Sequence, residues 1–66
     1  MNNNFYLEEI FEKLSKELTY KNVESKNKLC LFLEQTTMAV KLGHITLEQA
    51  DNYIDRAFTL YDTLLT

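Results

Sequence analysis

The sequence has no proline and no tryptophan, and it contains one glycine, one cysteine and one histidine. A single cysteine excludes a disulfide within the chain, so we expect a reduced, cytoplasmic setting. The longest apolar run spans residues 29–33, far short of the roughly 20 residues that a membrane-spanning helix needs. The first residues lack the basic segment and the apolar stretch of a signal peptide. We expect one domain, spanning residues 1–66.

Apolar residues recur at spacings of three and four, which predicts three helices at about 5–20, 23–42 and 47–65. The apolar positions of the first helix are Leu7, Ile10, Phe11, Leu14 and Leu18. Those of the third helix are Leu47, Ala50, Ile54, Ala57, Tyr61 and Leu64. A buried strand at 29–33 is rejected, because that run lacks β-branched residues and flanking turn signals. The predicted class is therefore all-α, a three-helix arrangement.

Polar residues and the one glycine predict where these helices begin and end. Asn4 and Asn22 are predicted N-caps, since a short side chain there can accept a bond from a free backbone N–H group. Gly43 suits the left-handed position that closes a helix. Thr46 and Gln49 have the spacing of a capping box. The tight loop that results predicts an antiparallel hairpin of the second and third helices.

The second helix is apolar on two sides. One side carries Leu29, Phe32, Leu33, Thr36 and Val40. The nearly opposite side carries Leu31, Met38 and Leu42, with Gln35 completing a heptad-like spacing. Either the other two helices cover both sides, or the second side is a dimer or partner interface. The first and third helices also carry extra apolar residues. Because the total exceeds what one small core can hide, we expect a homodimeric helical bundle.

The net charge of −3 is concentrated after Thr46. Six lysines balance six glutamates in residues 1–46, whereas one arginine, Arg56, accompanies the carboxylates of the third helix. These carboxylates fall within about 60° of one another around the helix; they are Glu48, Asp51, Asp55 and Asp62, with Thr59 beside them. Such a face is either a solvated surface or a docking surface for a basic partner.

The side chains that could carry out chemistry are few and dispersed. His44 lies in the predicted loop, and Cys30, expected as a small buried thiol, lies more than three helical turns away. Catalysis needs a nucleophile or base, an orienting partner and a pocket, so we expect no enzyme and no cofactor. A metal site at His44, Glu48 and Asp51 is disfavoured, since zinc prefers four ligands rich in histidine and cysteine.

Nucleic-acid binding has weak support in the sequence. Ala39 and Gly43 superficially resemble a helix-turn-helix, but the following helix would present carboxylates to DNA phosphates, so direct DNA binding is not expected. Five lysines surround the connection between the first two predicted helices: Lys13, Lys16, Lys21, Lys26 and Lys28. Glu17 and Glu24 lie among them and reduce the local positive charge. The helical hairpin resembles the Rop family of plasmid RNA-binding proteins in outline only, because no motif of that family is present.

We therefore expect a small regulatory or inhibitory protein that binds a protein partner and blocks or repositions it. In one version, the second apolar side of helix two engages the partner, as in a small kinase inhibitor or an antitoxin. In another, that side forms the dimer and the acidic third helix docks on the basic cleft of a nucleic-acid-handling protein, as in anti-restriction or anti-CRISPR proteins. An RNA-binding helical dimer and a purely structural role are further alternatives. The preference for lysine over arginine, with many asparagines and tyrosines, suggests a low-GC bacterium or phage.

Overall fold

Three α-helices make up the fold: α1 spans Asn4–Glu17, α2 spans Val23–Lys41 and α3 spans Leu47–Thr63. The computed structural model describes residues 4–66, with side chains from residue 6 onward. Within that part of the chain no β-strand occurs, which confirms the all-α class. The side chain of Asn4, a predicted N-cap, lies outside the described part. None of the described helices combines the length and the apolarity needed to cross a membrane.

The starts of α2 and α3 are fixed by side-chain hydrogen bonds to free backbone groups. Oδ1 of Asn22 accepts a bond of 2.8 Å from the backbone N–H of Ser25. At the start of α3, the backbone N–H of Gln49 donates to Oγ1 of Thr46 at 3.1 Å. In return, Oε1 of Gln49 accepts from the backbone N–H of Thr46 at 2.9 Å. The predicted N-cap and the predicted capping box are both confirmed.

The end of α2 is closed by a glycine in the left-handed region. Gly43 has φ of +77°, and its N–H donates to the carbonyl of Val40 at 3.0 Å. The N–H of His44 donates to the carbonyl of Ala39 at 2.8 Å. These two bonds form a Schellman motif, which satisfies carbonyl groups that the end of a helix leaves free. The role predicted for Gly43 is confirmed.

The core lies between the three helices and is centred on Phe32, which is 0% exposed. The Phe32 ring centroid lies 5.7 Å from that of Phe11 on α1 and 6.0 Å from that of Tyr53 on α3. The buried apolar residues are Leu7, Leu14, Leu18, Leu29, Phe32, Ile45, Ala50, Tyr53, Ala57 and Leu64. Thr36 is also fully buried, and its hydroxyl donates to the carbonyl of Phe32 at 2.9 Å. The side of α2 predicted to face the core does so.

The face that α3 turns to the core differs from the predicted one. Leu60, which was not assigned to that face, packs against the core, whereas Ile54 is half-buried outside the core cluster. Leu47, predicted to be buried, is 73% exposed, because it is the first residue of the helix and lies beside the cap. Tyr53, which was not assigned to that face, is 6% exposed. Its ring packs edge-on against Phe32, and its hydroxyl donates to Glu8 on α1 at 3.1 Å. Contacts with the other two helices therefore set the rotation of α3.

Helices α1 and α3 end earlier than the expected positions 20 and 65. The reason is a short backbone pairing between the α1–α2 connection and the segment after α3. The N–H of Lys21 donates to the carbonyl of Leu65 at 2.7 Å, and the N–H of Leu65 donates to the carbonyl of Thr19 at 3.0 Å. Backbone groups that would extend the two helices are used in this pairing instead, and Leu64 is buried beside it.

Candidate binding surfaces

The side of α2 opposite the core remains exposed. We call Leu31, Gln35, Met38 and Leu42 the α2 stripe. Leu31 is 56% exposed, Met38 53% and Leu42 61%, whereas Gln35 is half-buried. The alternative in which α1 and α3 cover both apolar sides of α2 is therefore wrong, because both helices pack around Phe32 on one side. Three large apolar side chains remain accessible on the other side.

Two depressions border the α2 stripe. The first, of about 430 Å³, lies between the start of α1 and the end of α2 and includes Tyr6 and His44. The second, on the other side of Met38, includes Glu34 and Lys41, both of which are exposed. The stripe therefore has an apolar groove on one flank and a pair of opposite charges on the other.

The carboxylates predicted to form an acidic face are all exposed on the outer side of α3. We call this set the acidic face; it consists of Glu48, Asp51, Asp55 and Asp62, with the hydroxyl of Thr59 also exposed. Among the described residues, ion pairs form between Lys28 and Glu17 and between Arg56 and Glu8, and neither involves the acidic face. These carboxylates are therefore left without a neutralising side chain.

Arg56, the one cation of α3, is bound by α1 instead. Its Nη1 and Nη2 donate to Oε1 and Oε2 of Glu8 at 2.9 and 2.7 Å, the bidentate geometry that suits a guanidinium. Its guanidinium carbon also lies 4.5 Å from the ring centroid of Phe11. This pairing could not be predicted from local patterns, because Glu8 and Arg56 are 48 residues apart.

The network around Glu8 changes how its members titrate. Hydrogen bonds from Arg56 hold the pKa of Glu8 below its ordinary value, despite an opposing effect of burial. Burial raises the pKa of Tyr53, and its hydrogen bond to Glu8 raises it further. The hydrogen bonds to Glu8 also raise the pKa of Arg56. Glu8 therefore remains ionised in a structural role that links two helices.

A smaller apolar groove of about 220 Å³ lies between α2 and α3. Cys30 and the exposed ring of Phe58 line it, with Lys26 at its edge. The prediction that Cys30 is buried is wrong, because the residue lies beside Leu29 on the flank of α2 and not on its core side. An exposed thiol is not by itself a functional site.

The lysines around the α1–α2 connection are partly engaged by other side chains. Nζ of Lys28 lies 3.4 Å from Oε1 of Glu17, and Nζ of Lys21 lies 5.9 Å from the ring centroid of Tyr61. The positive charge available to a phosphate backbone is reduced accordingly. Within the described residues, no three His, Cys, Asp or Glu side chains are grouped so that they could hold a metal ion.

Comparison of the chain with models of protein families, with curated proteins and with solved structures finds no significant match. What the protein binds must therefore be inferred from its own surfaces.

Proposed function

We propose that the protein is a small non-enzymatic regulatory or inhibitory protein, a homodimer that binds another macromolecule and blocks or repositions it. The observation that carries this proposal is the exposure of Leu31, Met38 and Leu42 along one side of α2. Adjacent exposed apolar side chains on a small protein mark an interaction surface, since water contact with them costs free energy that association recovers.

The proposal includes an antiparallel arrangement of α2 and α3. The tight turn at Gly43 supports it, because a connection this short favours antiparallel neighbours. The order of the contacts supports it too. Phe32 packs against Tyr53, whereas the earlier residue Cys30 shares a groove with the later residue Phe58. In a parallel pair, earlier residues of α2 would meet earlier residues of α3.

In the version that we favour, the α2 stripe forms the dimer and the acidic face of α3 engages the partner. The specific observation behind this version is the pairing of Arg56 with Glu8, which leaves the carboxylates of α3 uncompensated. An uncompensated acidic surface is suited to a basic cleft, such as the nucleic-acid groove of a DNA- or RNA-handling protein. Occupying that cleft would block the nucleic acid, as anti-restriction and anti-CRISPR proteins do.

Two other functions make different predictions. If the α2 stripe itself engages a protein partner, the protein acts as a monomer and binding depends on Leu31 and Met38. If the protein is an RNA-binding dimer, binding depends on the lysines around the α1–α2 connection. The engagement of Lys28 by Glu17 weighs against the RNA-binding function.

A partner is first captured from cells that express the protein. The binding of this partner to three variants is then compared with its binding to the wild type. The stripe variant is Leu31→Asp/Met38→Asp, and the acidic-face variant is Asp51→Asn/Asp55→Asn/Asp62→Asn. A control, Glu9→Gln/Glu12→Gln/Glu24→Gln, removes the same charge elsewhere. Calorimetry with the purified partner then measures each dissociation constant at low and high salt.

We expect the acidic-face variant to bind at least about tenfold more weakly and the control to bind like the wild type. We also expect wild-type binding to weaken steeply with salt, since exposed charges are screened. Binding lost only in the stripe variant would favour the direct use of the α2 stripe. A partner that binds the stripe variant, the acidic-face variant and the wild type equally would contradict the proposal.

A further inference from the structure

The α2 stripe has a spacing that reads the same in both directions. Leu31 and Gln35 are four residues apart, Gln35 and Met38 three, and Met38 and Leu42 four. A leucine stands at each end, and both leucines are more than half exposed. A two-fold dimer interface uses one surface patch on both subunits, so that patch must be complementary to itself. A symmetric spacing along a helix meets this requirement when two copies run antiparallel.

We infer that the α2 stripe binds the α2 stripe of a second copy, antiparallel, about a two-fold axis that passes between residues 36 and 37. This inference rests on the dimer of the proposed function and adds its orientation and register. In this register Leu31 packs against Leu42 of the second copy, and Gln35 packs against Met38 of the second copy. The same contacts recur on the other side of the axis.

Charge complementarity on one flank of the stripe supports this register. Glu34 and Lys41 are exposed and lie on the same side of Met38, two helical turns apart. In an antiparallel pair this flank faces the same flank of the second copy. With a rise of 1.5 Å per residue, Glu34 and Lys41 of the second copy then lie within about 3 Å of each other along the helix axis. Two equivalent ion pairs result.

A parallel pairing lacks this complementarity. A two-fold axis along the helices turns the flank that carries Glu34 and Lys41 towards the opposite flank of the second copy. At the height of Glu34 and Lys41 that opposite flank offers Phe32, which is buried, and Ala39, which is half-buried against the core. Glu34 and Lys41 then find no oppositely charged side chain at their own height, so the exposed charges of α2 favour the antiparallel dimer.

The polar residue of the stripe also favours one register. Gln35 lies close to the proposed axis, so two copies of its amide face each other across it and can exchange hydrogen bonds. A single polar residue in an apolar interface selects a register, because other registers leave it unpaired. A stable interface of about 1,000 Å² takes about 500 Å² from each copy. That is about a tenth of the 4845 Å² surface.

A charge-reversal series tests the register by sedimentation equilibrium. We expect Glu34→Lys and Lys41→Glu each to raise the dimer dissociation constant about tenfold, since each change turns two attractions into repulsions. The double variant Glu34→Lys/Lys41→Glu restores both pairs with reversed sign and is expected to regain wild-type affinity. The control Glu9→Lys/Lys13→Glu, which reverses exposed charges on α1, is expected to change nothing.

Disulfide formation with oxidised glutathione provides a second measurement, in a Cys30→Ser background. The antiparallel register brings positions 31 and 42 together, so Leu31→Cys/Leu42→Cys is expected to form covalent dimers. Leu42→Cys alone is expected not to, because its two copies lie about 16 Å apart along the helices. The register would be overturned, and the dimer kept, if the charge reversals left the dimer dissociation constant unchanged and Leu42→Cys alone formed covalent dimers. A wild-type monomer would overturn the register together with the dimer.

Discussion

Arg56 on α3 and Glu8 on α1 are joined by two parallel hydrogen bonds, Nη1–Oε1 at 2.9 Å and Nη2–Oε2 at 2.7 Å. The hydroxyl of Tyr53 donates to the same carboxylate at 3.1 Å. One carboxylate of α1 therefore holds two successive turns of α3. This network fixes the rotation of α3 that buries Tyr53, and the same rotation turns the acidic face to solvent.

Removing this ion pair is expected to destabilise the fold moderately. Arg56→Met keeps the apolar stem and removes the guanidinium, and we expect the free energy of unfolding to fall by about 1 kcal/mol, because both partners are about 40% exposed. Lys28→Met is the control, since Lys28 makes one contact of 3.4 Å with Glu17. Urea unfolding followed by circular dichroism measures both. Equal losses in the two variants would contradict the structural role of Arg56.

Stability is expected to depend on pH through Glu8. Because the folded state lowers the pKa of Glu8 below its ordinary value of 4.5, the pair stabilises the fold fully above that value. The contribution is lost as pH falls below 4.5 through the lowered pKa. Urea unfolding between about pH 5 and pH 3 should show a smaller loss for Glu8→Gln than for the wild type. Glu9→Gln, the control at the exposed neighbouring residue, should follow the wild type. A Glu8→Gln profile parallel to that of the wild type would contradict this prediction.

Two phenylalanines provide a matched pair for the core. Phe32 is fully buried between Phe11 and Tyr53, so Phe32→Ala should cost about 3–5 kcal/mol. That is comparable with the whole stability of about 3–10 kcal/mol expected for a chain of this length, so the variant should be largely unfolded. Phe58→Ala, at an exposed ring, should cost less than about 1 kcal/mol. Near-equal melting temperatures for the two variants would mean that the core is centred elsewhere.

The turn at Gly43 offers a test of backbone conformation without a packing effect. A Cβ atom at this position would meet nothing within 4 Å, so the cost of Gly43→Ala comes from the positive φ of 77°. We expect a loss of about 1 kcal/mol for alanine and a smaller loss for Gly43→Asn, because asparagine tolerates the left-handed region. Thermal unfolding compares the two variants. An alanine variant more stable than the asparagine variant would contradict the assignment.

The local features of the fold could be predicted from the sequence. Asn22, Thr46 and Gly43 act through hydrogen bonds and backbone angles within a few residues, so their roles depend little on the rest of the chain. The side of α2 that carries Phe32 was equally predictable from its helical spacing. In each case the residues that determine the feature lie close to it in the sequence.

The remaining differences have distant causes. The burial of Tyr53 depends on Phe32 and Glu8, and the early end of α1 depends on backbone bonds to Leu65. Neither contact follows from periodicity. The same holds for the surfaces: the acidic face followed from angular spacing, but the pairing of Arg56 that leaves it uncompensated did not. Sequence patterns located the surfaces, and long-range contacts determined their electrostatic state.

The most direct test of the proposed homodimer is sedimentation equilibrium of the wild type, of Leu31→Asp/Met38→Asp and of the control Leu47→Asp/Phe58→Asp. The control places the same charges at exposed apolar residues outside the α2 stripe. We predict twice the monomer mass for the wild type and the control, and a folded monomer for Leu31→Asp/Met38→Asp. A wild-type monomer, or a dimer that persists in the stripe variant, would contradict the proposal that this side of α2 joins two copies.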